Sequence, residues 1–243
     1  MFNFLKKNNE PKKLFYTTDM HCHIIPGVDH GAQTVEDSIA LVKAEMEMGI
    51  SHIIATSHVT KDSFENNPET LAKGFATLKA GLEKAGIDID IKYSAEYRID
   101  ELFKEQLKNN QLVLMPNNYL LVENSFQGET MGLDELLFEL QLKDYIPILA
   151  HPERYRYYNH QRYQTLHDSG AYFQVNLLSF TGYFGEPEKR TAEWLLDNEL
   201  IDFLGSDIHF MQHAEILQKF IGTKEYRKIV ERIPRLCNDI SFN

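Results

Sequence analysis

Cysteine is scarce in this 243-residue chain, which holds two, Cys22 and Cys237. That excludes a disulfide scaffold and a cysteine-rich zinc module as its source of stability. Long apolar runs are missing too. No stretch approaches the ~20 residues of a membrane-spanning helix, and the opening "MFNFLKKNNEPKKLF" has too short an apolar segment for a secretion signal. A cytoplasmic protein without a membrane span is the expectation. Positive charge is in deficit: 25 Lys and Arg face 36 Asp and Glu, for a formal net charge of −11. This balance argues against a nucleic-acid or anionic-membrane binder, and no nucleic-acid partner is expected. Bound divalent cations would neutralise part of the excess. Repeats, low-complexity segments and linkers are also absent. What remains is a chain of ordinary hydrophobic (43%) and charged (25%) content, long enough for a substantial core.

Residues 1–13 read as a flexible N-terminal extension and 14–243 as a single domain. Seven runs have strand composition: "LFYTTDMH" from Leu14, "SHIIATSH" from Ser51, "IDIKYSAEY" from Ile89, "YLLVEN" from Tyr119, "IPILAHPE" from Ile146, "AYFQVNL" from Ala171 and "IDFLGSDIH" from Ile201. Helical periodicity lies between them. Ile39, Val42 and Met46 predict one buried face before a stop at Gly49. Leu71, Phe75, Leu78 and Leu82 predict another before Gly86, and Leu133, Leu136, Leu137 and Leu140 a third. Pro187 opens a helix through Trp194 and Leu195, and the segment from Ala214 to Ile233 reads as one or two more. Alternating strands and helices imply a parallel sheet, either closed as a barrel or open and doubly wound.

The placement of polar residues favours the barrel. The first strand ends in His21 and His23, the second in His58, the third in Glu96, the fourth in Glu123, the fifth in His151 and the seventh in Asp207 and His209. The sixth ends in Asn176, which can hydrogen-bond but is a poor metal ligand. In a parallel barrel all these ends meet on one face, where active sites are built. A lone histidine at a strand end is more often structural. Carboxylates placed like Glu96 and Glu123 are rarely buried without a partner, and the strand ends are poor in Arg and Lys that could serve. Eight such residues on six strands make coincidence the weaker account. Residues two apart in a strand share a side, so His21 and His23 can bind one cation together, as can Asp207 and His209, while Cys22 points into packing. Imidazole with carboxylate suits zinc, iron or manganese better than calcium, and the ligand count predicts two or three divalent ions.

In this order, "DMHCH", "TSH", "AEY", "VEN", "AHPERY" and "GSDIH" resemble the PHP (polymerase and histidinol phosphatase) superfamily. "HCHIIPGVDHGAQT" and "AHPERY" resemble, more narrowly, the bacterial capsule-associated metal-dependent protein tyrosine phosphatases of the CpsB/CapC type. The likeness runs from about Asp19 to His209. It implies a distorted seven-stranded TIM-like (β/α)7 barrel of the PHP fold. It also implies a trinuclear site, often of manganese or iron, acting on phosphotyrosine in the tails of bacterial tyrosine kinases that control capsule and exopolysaccharide synthesis. Carried over motif by motif, His21, His23, Glu96 and Asp207 would hold one metal. Glu96 would bridge to a second shared with Glu123 and His151, and His58, His209 and His30 would hold the third. Arg154 would bind phosphate. Glu96, His209 and Arg154 are thus the catalytic candidates, with Asn176 and His213 as further substrate contacts.

Two departures from that family stand out. "VDHG" replaces its usual "VDDG", so a neutral ligand, His30, stands where an aspartate is expected, which shifts metal preference toward zinc or iron. After "SDIH" the family often places an arginine, but this chain reads "FMQHAE", leaving His213 as a weak substitute. The cysteine-phosphatase pattern C-x5-R is absent, since Val28 stands at the arginine position after Cys22. Hydrolysis is therefore expected through a hydroxide bridging two cations. The alternatives are a small-molecule phosphatase such as a histidinol phosphatase, or a non-catalytic metal-bound regulator of a kinase; a homo-oligomer is compatible with any of these. Two segments stay open between function and packing: "RYRYYNHQRY" from Arg154, and the loop bearing Phe180, Tyr183 and Phe184.

Overall fold

The computed structural model describes residues 13–233 and 236–239. The expected N-terminal extension, apart from Lys13, lies outside these. Seven parallel strands form one sheet in the order β1 to β7: β1 Thr18–Cys22, β2 His52–Val59, β3 Asp90–Arg98, β4 Tyr119–Glu123, β5 Ile146–Ala150, β6 Tyr172–Asn176 and β7 Phe203–Gly205. All seven expected strands are present. The sheet curls until its edges meet. His23 N–H donates to the Ile208 carbonyl (3.0 Å), Asp207 N–H donates to the His21 carbonyl (2.8 Å), and Cys22 and Ile208 form an isolated parallel bridge. The result is a nearly closed barrel.

The helices are α1 Val35–Glu47, α2 Pro68–Lys84, α3 Glu101–Lys108, α4 Leu133–Leu142, α5 His160–Asp168, α6 Glu186–Asp197, α7 Met211–Phe220 and α8 Lys224–Arg232. Thr34 caps α1 and Asn67 caps α2, each in a reciprocal box with the third helical residue. Both helices stop where expected, at Gly49 (φ 97°) and Gly86 (φ 67°). The leucine stripe of α4 is buried throughout. The expected face of α1 needs correction. Met46 is 39% exposed, and the buried face runs through Ser38, Leu41, Val42, Ala44 and Glu45. The helix packs against both α2 and α7, which rotates its covered side away from a single apolar stripe.

Strand alternation sorts the core into two. Outward residues such as Ile53, Ala55, Tyr97, Leu120, Val122, Leu149, Phe173, Val175 and Leu204 join the large cluster under the helices. Inward residues Met20, Ile54, Leu121, Ile148, Ala150 and Phe203 form a smaller cluster inside the barrel. Along each strand the inward face begins apolar and ends polar: Ile54, Thr56, His58 on β2; Leu121, Glu123 on β4; Tyr172, Gln174, Asn176 on β6. On β1 the register shifts between Asp19 and Cys22. This bulge lets Met20, His21 and His23 all face inward while Cys22 packs outward with the helices.

Candidate metal centre

The strand ends bring the expected ligands together. His21, His23, Glu96, His151 and Asp207 are at most 3% exposed. Register alone places some of them. His58 and Glu96 are cross-strand partners, and His58 Nδ1 lies 3.0 Å from Glu96 Oε2. His151 Nε2 is 2.9 Å from Glu96 Oε1 and 3.6 Å from Glu123 Oε1, so Glu96 stands between two groups of donors. Two ligand positions sit in left-handed backbone, His151 (φ 33°) and Asp207 (φ 49°). Such conformations cost energy in non-glycine residues and turn these side chains back over the barrel mouth. Two glycines permit the close approach. A Cβ on Gly31 would meet the His23 carbonyl oxygen at 2.2 Å, and one on Gly205 would meet His21 Cβ at 2.7 Å.

The donor spacing suits a cation. His21 Nε2 and His23 Nε2 are 3.2 Å apart. Glu96 Oε2 is 3.4 Å from each, and Asp207 Oδ1 is 3.5 and 3.4 Å from them. Ligands about 2.0–2.2 Å from a first-row metal in a tetrahedron are separated by about 3.3–3.6 Å. Three further groups of candidate ligand atoms lie close together: His23, His58 and His209; His21, His151 and Asp207; His58, Glu96 and Glu123. Two ligand-set atoms, His151 Nδ1 and His209 Nε2, are buried with no hydrogen-bond partner among the described residues. Such atoms carry a desolvation cost that coordination would remove.

A second layer fixes the imidazoles. His21 Nδ1 is 2.7 Å from Gln174 Oε1, His23 Nδ1 is 2.9 Å from Asp29 Oδ2, and His209 Nδ1 is 2.9 Å from the Asp207 carbonyl oxygen. Each contact turns the other ring nitrogen inward as an acceptor. Asp29 also accepts from His58 N–H (3.0 Å) and Gly31 N–H (2.9 Å). Asn176 donates to Asp207 Oδ2 (2.6 Å) and accepts from Gln174. Protonation follows the same geometry. Burial opposes charge on His21, yet Glu96 and Asp207 raise it to about 9. His23 is likewise raised despite burial, by Asp29, Asp207 and Glu96. Burial would raise Glu96, but His58 and His21 hold it well below the ordinary carboxylate range. Burial and the charge on His23 push His209 down to about 2. The carboxylates thus draw positive charge toward His21 and His23. A divalent cation bound there would meet the same demand and favour the neutral imidazoles.

His30 lies at the rim. Its ring is nearly parallel to His58 (4.9 Å, 11°) and 4.4 Å from His209, and burial together with the charges of His58 and His23 lowers its pKa, which favours the neutral form. The site opens into a cavity of about 380 Å³. Arg154 reaches it with Nη1 3.5 Å from Asp207 Oδ2, its guanidinium held between Phe126 (4.6 Å) and Phe184 (4.2 Å). Tyr183 and Phe184 line the cavity, whereas Phe180 is 3% exposed and packs in the core. His213 is buried, with Nε2 3.0 Å from the Tyr183 hydroxyl. "RYRYY" acts partly as a brace: Tyr155 and Tyr158 hydrogen-bond Asn124, and Tyr157 donates to the Ser125 carbonyl, fixing the loop that carries Phe126. The strand ends are less poor in arginine than expected, because Arg98 closes β3 with Nη1 3.0 Å from Glu123 Oε2. It lies two residues beyond Glu96 on the same face. That parity was its signal in the sequence; its partner emerges only from the β3–β4 register.

Residues 17–221 match the family described as capsular polysaccharide synthesis, CpsB/CapC. The chain belongs to that family. Among its CpsB/CapC relatives, the tyrosine-protein phosphatase YwqE of Bacillus subtilis (strain 168) is 34% identical over 79% of this chain and 76% of its own length. The tyrosine-protein phosphatase CpsB of Streptococcus pneumoniae is 31% identical over 89% of this chain and 96% of its own. A solved structure from these two proteins, described as metal-dependent tyrosine phosphatases, matches with a TM-score of 0.76 at 31% identity, covering 93% of this chain and 96% of that one. An amidohydrolase from Mycoplasma synoviae, 12% identical with a TM-score of 0.55, shares the fold alone. Among the described residues no helix is long and apolar enough to cross a membrane.

Proposed function

We propose that this CpsB/CapC chain is a metal-dependent phosphomonoesterase that removes phosphate from tyrosine in proteins. One observation carries the reading: the buried donor set of His21, His23, Glu96 and Asp207, at metal-ligand spacing, opens directly into an arginine-lined cavity. The relatives' activity supports it. Two to three divalent ions are proposed. His21, His23, Glu96 and Asp207 would hold one, Glu96, Glu123 and His151 a second, and His58 and His209, with His30 beside them at the rim, a third. Manganese or iron is the proposed metal, and zinc is compatible with the neutral His30. When bound, such ions acidify water and polarise phosphoryl oxygens.

The chain's own groups do the rest. Arg154 presents a planar, permanently charged fork to phosphoryl oxygens, and the flanking Phe126 and Phe184 rings keep it from swinging away. Asn176 acts by orienting Asp207, and His213 by orienting Tyr183 at the cavity wall. The phenolate leaving group has a pKa near ~10, so it needs less proton donation than an alkoxide would. The proposed substrate is a phosphotyrosine-bearing tail of a bacterial tyrosine kinase, and the proposed location is the cytoplasm.

The test compares kcat/KM for a phosphotyrosine peptide and for histidinol phosphate, before and after chelation. Preference for the peptide, abolished by chelator and restored by one added metal, is expected. Preference for histidinol phosphate would overturn the substrate assignment, and turnover unaffected by metal removal would overturn the mechanism.

A further inference from the structure

Arg98 is not required by the ligand set, yet it repeats the arrangement of Arg154 in the wall of the same cavity. Arg154 sets one nitrogen 3.5 Å from Asp207, a carboxylate of the metal centre, and Arg98 sets one 3.0 Å from Glu123, another. Both side chains are 25% exposed, and both line the same cavity. A single ring, Phe126, lies against both guanidinium carbons, at 5.7 Å from Arg98 and 4.6 Å from Arg154. That ring also stacks on His151 (5.7 Å, 22°), which ties it to the metal centre. Among the cavity-lining side chains these two are the ones whose charge does not depend on pH.

We propose that Arg98 is a second phosphate-contacting arginine, sharing the Phe126 ring with Arg154. The inference rests on the reading of the cavity as a phosphomonoester site. A guanidinium carries five N–H donors. The Glu123 contact engages one nitrogen of Arg98, and its other donors have no hydrogen-bond partner among the described residues. The Glu123 anchor has a geometric origin. Arg98 and Glu123 are cross-strand partners in the β3–β4 register, so the anchor is built into the sheet rather than into a loop. The same register aims the arginine inward, because Arg98 shares the face of Glu96. This also answers the missing arginine after "SDIH". The residues there, Phe210 and His213, bring no fixed positive charge, and His213 is engaged with Tyr183. Arg98 supplies that charge from a different strand.

The test uses the full chain loaded with its metal. Inorganic phosphate is titrated calorimetrically, KM and kcat are measured on a phosphotyrosine peptide, and metal content is measured on the same samples. For Arg98→Gln, phosphate affinity should fall about ten- to a hundredfold and KM should rise, with bound metal unchanged. Arg98→Lys, which keeps a charge but not the fork, should fall between it and the wild type. Arg154→Gln sets the scale. Wild-type phosphate affinity in Arg98→Gln would overturn the proposal, as would a loss of affinity matched by a loss of metal, which would reduce Arg98 to a support for Glu123. Absence of phosphate binding by the wild type would overturn it too. A wild type that binds phosphate through Arg98 but turns over no phosphomonoester would uphold the contact and overturn the phosphatase reading.

Discussion

The two ends of the barrel interior are built from the same strands and share almost no chemistry. At the N-terminal end Met20, Ile54, Leu121, Ile148 and Phe203 fill the bore, with Tyr119 and Tyr172 packed against them. At the C-terminal end the same inward faces carry His21, His23, His58, Glu96, Glu123 and Asp207, all but His58 almost wholly buried. Apolar packing dominates the N-terminal end. The polar end is a set of close imidazole–carboxylate contacts, and two of its buried ring nitrogens have no hydrogen-bond partner among the described residues. Stability and activity are therefore expected to separate along the barrel axis.

The largest break should come from Glu96, which stands between the proposed metals. Glu96→Gln should lower turnover on the order of a thousandfold, the scale of losing a main electrostatic contact in the transition state. Metal should also stabilise this variant less than wild type, read as a smaller drop in unfolding midpoint on chelation. Next is the plug. Phe203→Ala should cost about 3–5 kcal/mol of unfolding free energy. Its chelator-induced drop should equal that of wild type, because the plug and the centre would be independent. A smaller effect is expected of Asp29→Asn, which weakens the support of His23 and His58: metal affinity should fall about ten- to a hundredfold in a competition titration.

The smallest effect lies on the apolar side, where His167 Nε2 is 3.1 Å from Asp202 Oδ2 near the start of β7. Donating this hydrogen bond to Asp202 raises the pKa of His167 against a desolvation penalty. Its stabilisation is present below the unfolded value of about 6.5 and is lost as pH rises through the folded pKa. For this partly exposed pair it amounts to at most about 1 kcal/mol. The stability gap between wild type and His167→Gln should be wider near pH 5.5 than near pH 8.5 by urea denaturation, and an equal gap would remove the pair from the account.

The polar end was the more legible in the sequence. Ligands that end strands announce themselves one by one, and a parallel barrel gathers them whatever its exact register. The residues that hold them did not announce themselves. Gln174 looks like any polar residue in a strand until β6 is seen to present it to His21. Arg98 needed the β3–β4 register to reveal Glu123 as its partner. Phe126 sits in a loop without periodicity, and only the Asn124 and tyrosine braces place its ring against Arg154. Met46 fell on a helical stripe yet is exposed, because α1 is covered from two directions and a single stripe no longer marks its buried side. Phe180 and Tyr183 share one loop, but its 3-10 turn buries the first and leaves the second at the cavity.

The most direct test is to strip the purified protein of metal, then follow bound metal and phosphotyrosine-peptide turnover together as one divalent ion is returned. The account predicts that turnover is lost in the stripped protein and rises with occupancy at two to three ions per chain, and that Glu96→Gln never recovers it. Undiminished turnover in protein shown by elemental analysis to be metal-free would contradict it.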